Sequence, residues 1–234
     1  MTVRLERQGR LARIVLAKPP LNICDLAMLG ELGDRLEEAR GASVVVLEAG
    51  EGCRAFSAGN AVEDHVPERA PEMLRRFHRA IRLLLETDAI TVADVRGDAL
   101  GGGCELVTAC DLVYATPNAR FGQPEIKVGC FPPVAAALLA KRIGWGKAME
   151  MIATGRLVPA AEFPLVTQVT EEGPPLDDLL AMSAPVLAAA KRAMRAGTLE
   201  EAERIYVEDV LPLDDCGEGI RAFLAKTPPN WRHS

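Results

Sequence analysis

The sequence predicts an α/β fold with a parallel-sheet core and a helical C-terminal part, and three observations predict it. Residues 43–48, with Val44, Val45 and Val46 in succession, and residues 90–95 have the unbroken apolar character of strands covered on both faces. Between them Met73, Leu74, Phe77, Ile81, Leu84 and Leu85 mark a helix long enough to make the crossover that parallel neighbours need. From Ala99 the chain runs through strand, glycine turn and helix again, with that helix expected over residues 105–109.

Taken from the start, residues 3–6 and 11–16 alternate around Gln8-Gly9-Arg10 and read as a hairpin. Lys18-Pro19-Pro20 then breaks regular structure. Asp25 is placed to cap a helix that carries Leu26, Leu29, Leu32 and Leu36 on one face and Glu31, Asp34, Arg35 and Glu38 on the other. Beyond Pro132 the pattern is helical over residues 134–143, 147–153, 179–194 with a kink at Pro185, and 199–207; only residues 165–169 read there as a strand. Gly173-Pro174-Pro175 joins a flexible residue to two that cannot continue a helix, which divides the chain into a core of residues 1–172 and a helical region of residues 173–234.

With 234 residues, 49% of them hydrophobic, the chain is long enough to bury a full core. Its net charge of −6 excludes nucleic acid and anionic membrane surfaces as main partners. The six cysteines form no C-x-x-C pair and are expected to be reduced thiols. The first residues, Met1-Thr2-Val3-Arg4-Leu5-Glu6-Arg7, lack the apolar centre of a signal peptide, and no apolar run approaches the roughly 18 residues of a membrane span. A cytoplasmic protein is expected.

Chemistry concentrates in Leu100-Gly101-Gly102-Gly103-Cys104-Glu105 and Phe121-Gly122-Gln123-Pro124-Glu125. Three glycines before a helix expose unhindered N–H groups where the helix dipole favours developing negative charge, although a tight strand-to-helix turn needs glycine too. Glu105 also suits the first turn of a helix, and a surface Glu after a Pro is ordinary. If both carboxyls reach one cavity, repulsion and burial leave one protonated and one ionised near neutral pH.

These two motifs, with Cys110-Asp111 and Phe56-Ser57-Ala58-Gly59, stand in the order and spacing of the enoyl-CoA hydratase/isomerase (crotonase) family, which the chain resembles strongly from Val3 to Gly155 and weakly from there to Phe223. The resemblance implies a spiral of ββα units with a helical oligomerisation region, assembled as a homotrimer or a dimer of trimers. It implies an oxyanion hole from the N–H groups of Asn60 and Gly102, catalytic Glu105 and Glu125, and an acyl-CoA site that includes Pro20, Ala58, Leu100, Gly101, Pro124 and Cys130. No cofactor or metal is implied; coenzyme A enters as part of the substrate. Retention of both glutamates points to hydration or dehydration through an enolate, and because Asn60 contributes its backbone N–H, replacing its side chain is expected to matter far less than replacing Gly102.

The chain departs from the family pattern where Asn60-Ala61 stand for a small residue followed by Asp, and in Gly129-Cys130-Phe131-Pro132-Pro133, where a rigid aromatic pocket wall is expected. The segment after Phe163 is also short for the family. Pro19-Pro20-Leu21-Asn22, Phe56-Ser57-Ala58-Gly59, Glu63-Asp64-His65 and Lys127-Val128-Gly129-Cys130-Phe131-Pro132-Pro133 look most like the branch that hydrates cyclohexa-1,5-diene-1-carbonyl-CoA. A general short-chain enoyl-CoA hydratase or isomerase is the alternative, and a non-catalytic assembly protein is the alternative of another class. His65 is expected on a solvated loop, and Lys141-Arg142 and Lys191-Arg192 on solvated helix faces. Trp231 is expected either to seal the chain end or to pack across a subunit boundary.

Overall fold

The computed structural model describes residues 1–233. In chain order its elements begin β1 (Val3–Gln8), β2 (Leu11–Leu16), α1 (Leu26–Glu38), β3 (Val44–Ala49), β4 (Ala55–Ser57) and α2 (Ala70–Glu86). There follow β5 (Ile90–Val95), β6 (Asp98–Leu100), α3 (Gly102–Ala109), β7 (Leu112–Ala115), β8 (Arg120–Gly122), α4 (Pro133–Ile143) and α5 (Trp145–Thr154). The chain finishes with β9 (Leu157–Pro159), β10 (Gln168–Val169), α6 (Leu176–Leu180), α7 (Ala184–Ala196), α8 (Leu199–Ile205) and α9 (Asp214–Ala225).

The strands form two sheets. One runs β1-β2-β3-β5-β7-β10, antiparallel only in the β1–β2 hairpin; the other runs β4-β6-β8-β9, antiparallel only between β8 and β9. Three times in succession the chain lays a strand in the first sheet, a strand in the second, and then returns by helix, so the molecule is a spiral of ββα units.

The valine run does what its pattern predicts. Val45 and Leu47 enter the main core beneath α1, α2 and α3, while Val44 and Val46 face a second cluster with Leu11, Val92, Tyr114 and Leu176. Asp25 caps α1 by accepting the Met28 N–H at 2.9 Å, and Leu29, Leu32 and Leu36 are buried. In α2 the buried face is Met73, Phe77, Ile81 and Leu84, as the periodicity predicts.

The C-terminal part differs from expectation in several places. The helix expected over residues 179–194 is two helices, α6 and α7, because buried Ser183 turns the chain and donates to Asp215 Oδ2 at 2.6 Å. Pro185 stands at the start of α7, where its missing N–H costs nothing, so it opens a helix instead of kinking one. The expected strand over residues 165–169 shrinks to β10, and β9 and α9 were not anticipated. Residues 173–175 lead into α6, whose Leu176 covers the outer face of the first sheet. Trp231 seals the chain end, donating to Ala181 O at 2.7 Å and lying against Gly219.

The basic pairs are likewise not simply solvated. Buried Lys191 meets Asp111 Oδ2 at 2.6 Å and Ala89 O at 2.7 Å, and Arg142 donates to the terminal carbonyls of α3 at Thr108 and Cys110. All six cysteines are free. Among the described residues no helix is long and apolar enough to cross a membrane.

Candidate active site

At the end of β6 the chain must turn sharply into α3, and Gly101 makes that turn at φ +51°. A methyl group there would also stand 2.7 Å from Glu125 Oε1. The helix starts at Gly102, earlier than its expected start at Glu105, so two glycines form part of the first turn. Gly103 is needed for close approach: a methyl group on it would lie 2.4 Å from Ser57 O.

That approach follows from β4 pairing with β6, which carries residues 57–60 alongside the glycine turn. A methyl group on Gly59 would meet Leu100 O at 2.9 Å and the Gly102 N atom at 3.3 Å, so the backbones of Gly59-Asn60 and Gly101-Gly102 run against each other. Among the described residues, neither the Asn60 N–H nor the Gly102 N–H has an acceptor within the protein. Gly102 is the first residue of a helix, where the N–H has no intrahelical partner and the dipole is positive.

The 57–60 segment is held from outside by residues 20–24. Arg54 N–H donates to Pro20 O at 2.8 Å, Ala58 N–H to Leu21 O at 2.9 Å and Cys24 N–H to Gly59 O at 2.9 Å. Asn22, fully buried at φ +49°, donates from Nδ2 to Phe56 O at 3.0 Å, while its carbonyl accepts from Ser57 Oγ at 2.8 Å. Sequence reasoning gave Asn22 no task; its signal is a lone Asn after two prolines.

Glu105 is 2% exposed, and its Oε1 accepts from Val134 N–H at 2.7 Å and Ala135 N–H at 2.9 Å, at the start of α4. Burial pushes its pKa up; the Ala135 hydrogen bond opposes this, the Glu125 charge adds to it, the Val134 hydrogen bond opposes it again, and the result is about 7. Burial also raises the Glu125 pKa, against its own backbone N–H and the charge of His65, and Glu125 Oε2 is buried with no partner. The Glu125 charge thus bears on Glu105 across the glycine turn, and burial holds both carboxyls above the ordinary carboxylate range.

His65 is half-buried, with Nδ1 2.9 Å from Ala61 O, and it acts electrostatically on Glu125; it is not the solvated loop residue expected. Of the other expected contacts, Gly101 is buried against Glu125, Leu100 precedes it at the end of β6, and Pro124 and Cys130 flank Glu125, with Cys130 N–H donating to Glu125 O at 3.0 Å. Ala58 is half-buried and Pro20 exposed on the two backbones just described. Phe131 does not form a closed wall: it is 63% exposed, because the segment turns there to present the α4 N–H groups to Glu105.

The raised Glu105 pKa makes stability depend on pH. Between the ordinary 4.5 and about 7 the folded chain holds a proton that the unfolded chain releases, so stability is lost as pH rises through that window. Glu105→Gln keeps an oxygen for the two N–H groups and cannot titrate. Relative to wild type, its stability in urea is therefore expected to improve by on the order of 3 kcal/mol from below to above the window. A difference that does not change with pH would mean that Glu105 titrates alike in both states.

The sequence profile of the enoyl-CoA hydratase/isomerase family matches residues 6–196. The chain is 36% identical over 252 aligned positions to cyclohexa-1,5-dienecarbonyl-CoA hydratase of Thauera aromatica, covering 100% of this chain and 97% of that protein. It is 32% identical to a probable enoyl-CoA hydratase of Rhizobium meliloti, covering 99% and 98%. In fold it resembles the crystal structure of an enoyl-CoA hydratase from Bacillus anthracis, with a TM-score of 0.90, 24% identity and 100% of both chains covered.

Proposed function

The chain belongs to the enoyl-CoA hydratase/isomerase family, and from that premise we propose that it adds water to an α,β-unsaturated CoA thioester. The observation that carries this reading is the pair of coupled carboxyls, Glu105 and Glu125, beside two unclaimed N–H groups. The thioester oxygen accepts from the N–H groups of Asn60 and Gly102, which hold the negative charge that develops there. The ionised carboxyl takes a proton from water, the water oxygen bonds to the β-carbon, and the protonated carboxyl gives its proton to the enolate carbon. No metal takes part, and coenzyme A is part of the substrate.

The acyl group we favour is a cyclic diene, by likeness to the Thauera aromatica relative, which would place the reaction in the degradation of aromatic compounds. Water would add to the β-carbon of cyclohexa-1,5-diene-1-carbonyl-CoA and the proton would enter at the far end of the conjugated dienolate, giving 6-hydroxycyclohex-1-ene-1-carbonyl-CoA. Side-by-side kinetics test this: kcat/KM is expected to be higher for the cyclic diene than for crotonyl-CoA. The reverse preference, with the diene unreacted, would leave a general short-chain enoyl-CoA hydratase. An assembly protein without catalysis is disfavoured by the retained carboxyl pair.

The protein is further proposed to be cytoplasmic and to form a homotrimer or a dimer of trimers through the helical region, residues 173–234. Met194, Leu199, Tyr206, Phe223 and Leu224 support this, since each is more than half exposed on α7, α9 and the segment between them. Light scattering on the eluting protein is expected to give three or six chain masses; a monomer would contradict it.

A further inference from the structure

The Asn60 side chain carries an observation that a backbone-only role does not explain. Its Nδ2 lies 3.5 Å from Met73 Sδ, a weak acceptor, and its Oδ1 is buried with no partner. Both atoms stand 2.9 Å from where a methyl group on Gly102 would be, so the carboxamide fills the space that glycine leaves beside the proposed oxyanion hole. A buried carbonyl without a donor is unfavourable by about 1–3 kcal/mol. The thioether carries no proton, so the amide that turns Nδ2 toward Met73 and leaves Oδ1 as the unpaired atom is the better of the two orientations.

An acceptor at this position selects among the groups that hydration brings to it. The thioester carbonyl and the enolate oxygen have no proton to give, whereas the adding water and the product alcohol each have an O–H. Glu125 Oε2, 3.9 Å from where a methyl group on Gly101 would be, is also without a partner. A water that reaches both atoms would give one proton to the carboxylate and hold the other against Asn60, leaving a lone pair for the β-carbon.

Resting on the hydratase reading above, we propose that Asn60 Oδ1 accepts a hydrogen bond from the adding water and from the hydroxyl of the product, so that this side chain recognises the alcohol. The test is calorimetric binding of 3-hydroxybutyryl-CoA and butyryl-CoA in a Glu105→Gln background, which suppresses turnover. With Asn60 present, the hydroxyl is expected to tighten binding about tenfold. Asn60→Ala should abolish that gain and leave butyryl-CoA affinity unchanged, and Asn60→Asp, which keeps an acceptor at the same place, should retain it. In the active enzyme Asn60→Ala should lower kcat about tenfold with KM unaltered. Equal weakening of both ligands, or no change in either, would overturn the role given to Oδ1. If butyryl-CoA failed to bind the parent, the acyl-CoA reading would fall, and this inference with it.

Discussion

Replacing either glutamate by glutamine is expected to lower water addition by about 10²-fold or more while acyl-CoA binding persists. For Glu105 the substitution is clean, because glutamine keeps an oxygen for the Val134 and Ala135 N–H groups while removing the carboxyl proton of this residue. For Glu125 the free Oε2 is lost as an acceptor and the repulsion on Glu105 disappears, so the Glu105 pKa should fall in that variant and the pH optimum should move with it. Turnover measured against pH for both variants checks this. Near-normal turnover in either would remove that residue from the mechanism.

Gly102→Pro is the second large effect. Proline is tolerated at the first position of a helix, and Gly102 opens α3, so the change deletes one N–H donor without interrupting the helix. The nearest neighbours of a Cβ there are atoms of the Asn60 carboxamide, at 2.9–3.0 Å, the movable end of a side chain. Loss of an oxyanion donor is expected to lower kcat by roughly 10²–10³-fold. Gly103→Val offers a contrast, since its side chain would run into Ser57 backbone and should harm folding rather than chemistry. Thermal melts alongside turnover separate the two; a fully active Gly102→Pro enzyme would place the donor elsewhere.

What could be read beforehand follows from burial. Residues 44–48 and 90–95 were visible because strands covered on both faces carry no polar alternation, and Asp25 because a cap needs one side chain at one place. β4, β8 and β9 span three residues each, too few to display a period. The early start of α3 was hidden by glycine, whose helix propensity is poor and whose presence here answers to Ser57 and Glu125. α9 leaves Ile220, Phe223 and Leu224 exposed, so its apolar stripe is left uncovered among the described residues.

The site was legible in part for the same reason. Glu105, Glu125 and the glycines sit in compact motifs whose spacing survives in the fold, and the backbone donors followed from the resemblance. Asn22 and His65 act on the site from other segments, through hydrogen bonds and charge that no local pattern encodes. Asn60 was read for its N–H, while the orphaned Oδ1 appears only once Met73 and Gly102 are in place around it.

The central claim is that paired carboxyls add water to an enoyl-CoA whose oxygen is held by backbone N–H groups. Its most direct test is incubation with crotonyl-CoA and with cyclohexa-1,5-diene-1-carbonyl-CoA in water carrying a heavy oxygen isotope, followed by product mass. The account predicts a hydroxyacyl-CoA with one labelled oxygen on the β-carbon from at least the cyclic diene, and no labelled product from the Glu105→Gln, Glu125→Gln double variant. Unlabelled substrate recovered from both incubations, or an isomerised product that has taken up no oxygen, would contradict it.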